Sequence, residues 1–87
     1  MAFRVAEIQS TPNPNAIKVI LDGTVSAEPT SFLHPGAAGA HLLATQLFAI
    51  PGVSSLLLLD DFITINKSSN ASWTDITSRV RQVLADW

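Results

Sequence analysis

Two adjacent carboxylates and two histidines are the side chains in this sequence whose chemistry suits a metal ion. Asp60 and Asp61 stand directly before Phe62, and His34 and His41 are seven residues apart. Aspartates in a tight turn favour local hydrogen bonds, and a metal-binding histidine pair on one helical face needs i,i+4 spacing. An iron or other metal site built from these four residues is therefore the alternative function, and turn formation is the expected role of the aspartates.

The sequence contains no cysteine. Disulfides, a thiol nucleophile, cysteine-ligated zinc and thiolate-held iron-sulfur clusters are therefore excluded for these residues acting alone. No glycine-rich phosphate loop, serine elbow or metal-binding signature is present either. We expect a protein that is not an enzyme and that needs no cofactor.

The segment STPNPN, residues 10–15, contains two Pro-Asn steps and is the second place where side-chain types indicate a role. Proline extends the residue before it and presets the first corner of a turn, and asparagine suits the second corner. A rigid hairpin loop is one interpretation. The other is a recognition surface made of Thr11, Asn13 and Asn15 with the nearby Lys18, because binding residues concentrate on loops that a rigid scaffold holds.

A second candidate patch for a protein partner consists of Asp61, Phe62 and Thr64. The leucine run 56–59 adds an apolar strand, whose inward residues we assign to the core. Residues on the opposite side of the sheet are candidates for a protein-binding face or a homodimer contact, because helices that cover one side leave the other available.

Length and composition predict one domain over residues 1–87. The apolar fraction is 47%, which is enough for a core, and the net charge is -2 with no basic cluster. Nucleic acid is therefore excluded as an expected partner. The apolar runs are too short for a membrane helix, and no secretory signal is visible. These observations predict a soluble, cytoplasmic protein.

Four strands are expected from apolar alternation and turn residues: residues 3–9, Ala16–Leu21, 53–59 and Phe62–Lys67. They form two hairpins, one through residues 10–15 and one through Asp60-Asp61.

Two helices are expected. Helical spacing of apolar residues begins at Gly39 and ends at Pro51-Gly52, and a second helix begins after an N-cap at Ser72 and continues to Trp87. Residues 22–38 are irregular, with room for a short strand at 30–33. The sequence predicts an α+β domain of ββαββα order, with a four-stranded, largely antiparallel sheet and both helices on one face.

The motifs just described resemble the Nfu/NifU-like N-terminal domain family. The resemblance covers nearly the whole chain and rests on STPNPNAIKVIL, on LFAIPGVSSLLLLDDFITINK and on a terminal helix that begins with tryptophan. The resemblance implies a role in iron-sulfur cluster assembly or delivery through protein partners. Independently of the resemblance, we expect a monomer or a weak homodimer.

The sequence departs from the family in two places, and these departures limit which family properties can be expected of this chain. In most members of the family this domain precedes a separate domain whose Cys-x-x-Cys pair holds or transfers the cluster, and these residues have no thiol. The chain therefore resembles the stand-alone versions. Where the family has Ser-Pro-Leu-Ala at the start of the first helix, this sequence has His41-Leu42-Leu43-Ala44. The loss of that proline predicts an earlier helix start, near Gly39.

Overall fold

The computed structural model of the chain describes residues 3–87, so residues 1 and 2 of the predicted domain lie outside it. In chain order the elements are β1 (Val5–Ser10), β2 (Ala16–Leu21), β3 (Ser26–Phe32), a 3-10 helix (Pro35–Ala38), α1 (Leu42–Phe48), β4 (Val53–Asp60), β5 (Phe62–Lys67) and α2 (Trp73–Asp86). No helix within this part of the chain has the length and apolar character needed to cross a membrane.

The sheet has five strands in the order β1-β2-β5-β4-β3, and each pair of neighbours is antiparallel. The predicted four-stranded sheet is therefore wrong. The additional strand, β3, lies in the stretch that we expected to be irregular, and only its last residues overlap the short strand expected at 30–33. The protein belongs to the mixed α+β class.

β3 was not predicted from the sequence because it is a polar edge strand that contains Pro29. Proline cannot donate to a strand ladder and is tolerated at a sheet edge. The register with β4 shifts between Ser26 and Thr30, so the regular ladder is interrupted around the proline. The Ser26 hydroxyl donates to the Glu28 carbonyl at 2.7 Å and lies 3.0 Å from the Thr30 hydroxyl. These local bonds hold a segment that has no apolar alternation.

One face of the sheet forms the core with the helices. Alternate residues of the three central strands are buried, and the paired Val19, Ile63 and Leu58 have no exposed surface. The helices contribute the buried residues Leu43, Ala44, Leu47, Ile76, Val80 and Leu84 to the same apolar cluster. Removing one such leucine or isoleucine side chain typically costs about 2–5 kcal/mol. A slip of one residue in a strand would move its buried side chains to the other face of the sheet, so burial of these side chains also fixes the strand register.

α1 begins at Leu42, so the start predicted near Gly39 is wrong. A 3-10 helix precedes it and ends at Gly39, whose φ of 52° favours glycine. His41 is the N-cap, and its Nδ1 accepts from the Ala44 backbone N–H at 3.2 Å. The imidazole thus supplies the acceptor that serine or aspartate usually supplies at this position.

α2 begins after Ser72, which lies at the predicted N-cap position. Its hydroxyl makes no capping hydrogen bond, so the expected side-chain cap is absent. The last turns of α2 hold the beginning of the described chain, because the Phe3 N–H donates to the Leu84 carbonyl at 2.8 Å.

Gly52 joins α1 to β4 where a side chain would not fit. Its φ is 97°, and a Cβ atom at this position would lie 2.5 Å from the Cβ of Ala71. The Gly52 carbonyl accepts from the Ser68 N–H at 2.9 Å. The turn before β4 is therefore packed directly against the segment that leads into α2.

Candidate functional site

The predicted site residues fall into three separate places on the sheet. Because β2 and β5 are antiparallel, Ala16 pairs with Asn66 at one end and Ile20 with Phe62 at the other. We call the first the loop end, which comprises residues 11–15, Gly52 and residues 67–73. We call the second the turn end, which comprises Asp60, Asp61 and residues 22–25. The open face is the side of the sheet away from the helices.

At the loop end, the side-chain oxygens of the predicted residues Thr11 and Asn13 form hydrogen bonds within residues 11–16. The Thr11 hydroxyl lies 2.9 Å from the carbonyls of both Asn13 and Ala16, and it accepts from the Asn13 N–H at 3.2 Å. Asn13 Oδ1 accepts from the Asn15 N–H at 2.9 Å. This is an Asx turn closed by a threonine, and it explains why the two prolines are followed by asparagines.

Two residues far along the chain fasten the loop to the rest of the molecule. Lys67 Nζ donates to Asn15 Oδ1 at 3.1 Å and lies 5.5 Å from the centre of the Trp73 ring. Trp73 Nε1 donates to the Pro14 carbonyl at 2.9 Å. Sequence reasoning gave neither Lys67 nor Trp73 a site role. The signal available was the presence of both residues within the motifs that carry the family resemblance.

The fastened loop keeps some hydrogen-bonding capacity for a partner. Across residues 3–87, the side-chain nitrogens of Asn13 and Asn15 donate to no other protein atom. Asn13 is exposed and Asn15 is half-buried. The loop can therefore present amide N–H groups and proline rings from a backbone whose conformation is already fixed.

Lys18, Phe62 and Thr64 come together on the open face. Lys18 pairs with Thr64 across the β2–β5 ladder, and Lys18 Nζ lies 4.2 Å from the centre of the Phe62 ring. A cation at this distance is attracted to the face of the ring. These three side chains are half-buried. The two patches predicted from sequence are thus divided differently, since Lys18 lies with Phe62 rather than with the loop.

Asp61 lies at the turn end, away from the loop 11–15. Asp60 and Asp61 are exposed, and their backbone carbonyls accept from the N–H groups of Val25 and Leu21. Asp60 has a φ of 50°, which aspartate tolerates better than most residues. The aspartates therefore shape the turn, and Asp61 precedes Phe62 of its predicted patch but lies at the opposite end of the sheet from the loop 11–15.

The histidines lie far from these carboxylates along the sheet. Asp60 pairs with Ser26 at the start of β3, whereas His34 follows the end of that strand and His41 caps α1. The Nδ1 atom of His41 is occupied by the cap. Within residues 3–87, no three histidine, cysteine, aspartate or glutamate side chains are grouped to hold a metal.

Comparisons with known proteins agree with the motifs. The family model described as "Scaffold protein Nfu/NifU N terminal" matches residues 6–87 of this chain. A Drosophila grimshawi protein named NFU1 iron-sulfur cluster scaffold homolog, mitochondrial, is 35% identical over 93% of this chain. The match covers 28% of that relative, so the chain spans less than a third of its length.

Two solved structures have the same fold. A NifU-like protein from Saccharomyces cerevisiae has a TM-score of 0.78 and 29% identity, over 92% of this chain and 74% of that one. The Staphylococcus aureus protein SAV1430 has a TM-score of 0.74 over 92% of this chain and 96% of that one, and its 22% identity is used for the fold alone. With the family model matched over nearly every residue, the chain belongs to the Nfu/NifU N-terminal scaffold family.

Proposed function

We propose that this chain is a non-catalytic module that binds protein partners in iron-sulfur cluster assembly or delivery. Its link to cluster scaffolding rests on its family. Partner binding is favoured by one observation above the others, which is the internally hydrogen-bonded loop 11–15 fastened by Lys67 and Trp73. A preorganised loop loses little conformational entropy on binding, and the unused amide groups of Asn13 and Asn15 supply donors.

The composition separates this role from that of a cluster carrier. A cluster held by thiolates needs cysteines, and these residues have none. The cluster chemistry would therefore come from the partner, and this chain would contribute recognition.

A direct test uses the chain labelled with ¹⁵N and a probe of known chemistry. The probe is the cluster-loaded Drosophila grimshawi relative, with the segment that matches this chain removed. We expect amide shifts at Thr11, Asn13 and Asn15, with smaller shifts at Lys18. An absence of shifts up to millimolar probe, or shifts only at the turn end, would contradict the proposal.

Matched variants separate recognition from loop structure. Asn13→Asp keeps the oxygen that accepts from the Asn15 N–H but deletes the amide donor, whereas Asn13→Ala deletes both. If recognition uses the amide, both variants weaken probe binding while Asn13→Asp keeps the wild-type loop shifts. If Asn13→Asp binds as wild type does, the amide donor has no part in recognition.

The alternative of an iron site at Asp60, Asp61, His34 and His41 gains no support from a grouped ligand set in the described residues. Titration with ferrous iron, followed by calorimetry, tests it directly. A stoichiometric site would replace the interaction-only interpretation. The cytoplasmic location expected from the sequence stays a prediction, and the name of the Drosophila relative places that protein in mitochondria.

A further inference from the structure

The open face has an apolar patch that the proposed function does not use. Ile20, Leu57, Leu59 and Phe62 are half-buried on neighbouring strands and leave part of each side chain open to solvent. Ile20 pairs with Phe62, and Phe62 pairs with Leu59. Contiguous apolar side chains on the uncovered side of a sheet mark an interaction surface more strongly than scattered ones.

The side chains of this face form two parallel rows across the sheet. One row contains, in order from β1 to β4, the paired residues Gln9, Lys18, Thr64 and Leu57. The adjacent row contains Glu7, Ile20, Phe62 and Leu59. The lysine and the glutamate thus lie in different rows and on neighbouring strands.

We propose that the open face binds the open face of a second copy of this chain. The two-fold axis lies between the stacked sheets, perpendicular to the strands, and passes between the two rows. This axis places each row over the other row of the second copy. Lys18 then lies beside the second copy's Glu7, and Leu57 lies opposite the second copy's Leu59.

The charges favour a second copy over an unrelated partner. The axis exchanges the two rows, so Lys18 of each copy lies beside Glu7 of the other copy. The two Lys18–Glu7 pairs are related by the axis and form together. Stacked sheets lie about 10 Å apart and neighbouring strands about 4.8 Å apart, which lysine and glutamate side chains together can span. A uniformly acidic or basic partner would leave one of the two charges facing a like charge.

The size of the face predicts a weak, reversible dimer. Five strands spaced about 4.8 Å apart and about 20 Å long give a face of about 480 Å² per copy. The total of about 960 Å² is below the roughly 1,600 Å² of a standard stable complex. We therefore expect association in the high-micromolar range, disfavoured by salt.

This inference does not rest on the proposed function, because its test uses the purified chain alone. Sedimentation velocity and amide shifts are measured from micromolar to millimolar protein. We expect a concentration-dependent dimer, with shifts at Leu57, Leu59 and Thr64 and none at the exposed face of α1. A monomer at millimolar concentration would overturn the proposal.

Charge reversal tests the axis itself. Lys18→Glu and Glu7→Lys each convert both interface pairs to like charges, and we expect each to weaken association about tenfold. The double variant restores opposite charges, and we expect it to return to within about threefold of wild type. A double variant as weak as the singles would overturn this arrangement, and the amide spectrum of each variant verifies its fold.

Leu42→Ser is the matched control. Leu42 is 69% exposed and lies on α1, on the other side of the sheet. We expect it to dimerise as wild type does, and loss of the dimer in this variant would assign the contact to the helical side instead.

Discussion

The loop end and the turn end close two hairpins of the same sheet, yet they differ in how their side chains are held. At the loop end, Asn15 and Pro14 are bonded to Lys67 and Trp73, residues 52 and 59 positions away. At the turn end, the Asp22 side chain accepts from the Arg4 N–H at 2.9 Å. The side chains of Asp60 and Asp61 are exposed, and within residues 3–87 these two residues bond to Val25 and Leu21 through their backbone carbonyls and not through their side chains. A polar loop therefore becomes a rigid surface when distant elements bond to its side chains and carbonyls, whereas the Asp60-Asp61 turn, whose side chains make no such bonds within residues 3–87, remains a connection.

The glycines at the two ends give the largest expected contrast. Gly52→Ala at the loop end should lower the free energy of unfolding by about 3 kcal/mol, because a φ of 97° and contact with Ala71 both oppose a side chain. Gly23→Ala at the turn end should change it by less than about 0.5 kcal/mol, since its new Cβ meets only the Phe3 ring at 3.7 Å. Urea unfolding followed by circular dichroism measures both. Equal effects would remove the distinction between the ends.

The threonine that closes the loop gives the next largest effect. Thr11→Val keeps the shape but removes the hydroxyl bonded to Asn13 and Ala16, and it should cost about 1.5 kcal/mol. Thr11→Ser keeps the hydroxyl and should cost less than half as much. Hydrogen exchange at the Asn13 amide should accelerate in the valine variant alone, and unchanged exchange would show that this hydroxyl does not hold the loop.

The bond from α2 to the loop is expected to contribute less. Trp73→Phe keeps an aromatic ring beside Lys67 but removes the donor to the Pro14 carbonyl, which water can partly replace. The expected loss is about 1 kcal/mol, with faster amide exchange at Asn15 and Ala16. Exchange that accelerates equally at the turn end would mean that the effect is global and not specific to the loop.

The acidic turn should be the most tolerant position. Asp60→Asn and Asp61→Asn should each change the free energy of unfolding by less than about 0.5 kcal/mol, because neither side chain makes a hydrogen bond to any residue from 3 to 87 and asparagine also accepts a positive φ. The same two variants should leave shifts from the cluster-loaded probe unchanged. A loss of more than about 2 kcal/mol in either variant would give the turn a structural role equal to that of the loop.

Sequence patterns predicted the strands with strong apolar alternation and the loop chemistry. β2 and β5 have the predicted bounds, and the turn signals of the Pro-Asn steps correspond to an Asx turn in the structure. β3 could not be predicted, because its pairing depends on the edge that β4 offers and its own residues lack a period-2 pattern. The start of α1 was misplaced because a 3-10 helix precedes it and a histidine provides its cap.

The structure groups the predicted candidate residues differently from the sequence and adds Lys67 and Trp73, and the role of these residues in binding stays a prediction. Thr11, Asn13 and Asn15 lie together as expected, whereas Asp61 lies at the far end of the sheet and Lys18 joins Phe62 on the open face. The distance between two residues in the sequence does not determine whether they lie at the same end of the sheet, because that depends on how the strands pair.

The sequence by itself determined the local chemistry of this protein: the stiff Pro-Asn loop, the absence of thiolates and the apolar alternation that defines two sheet faces. Backbone restriction and side-chain type act over a few residues, so a linear pattern contains them. The tertiary structure decided the fifth strand, the attachment of the loop by Lys67 and Trp73, and the rows of the open face. Those features depend on contacts between residues far apart in the chain, which exist only after the sheet has set its register.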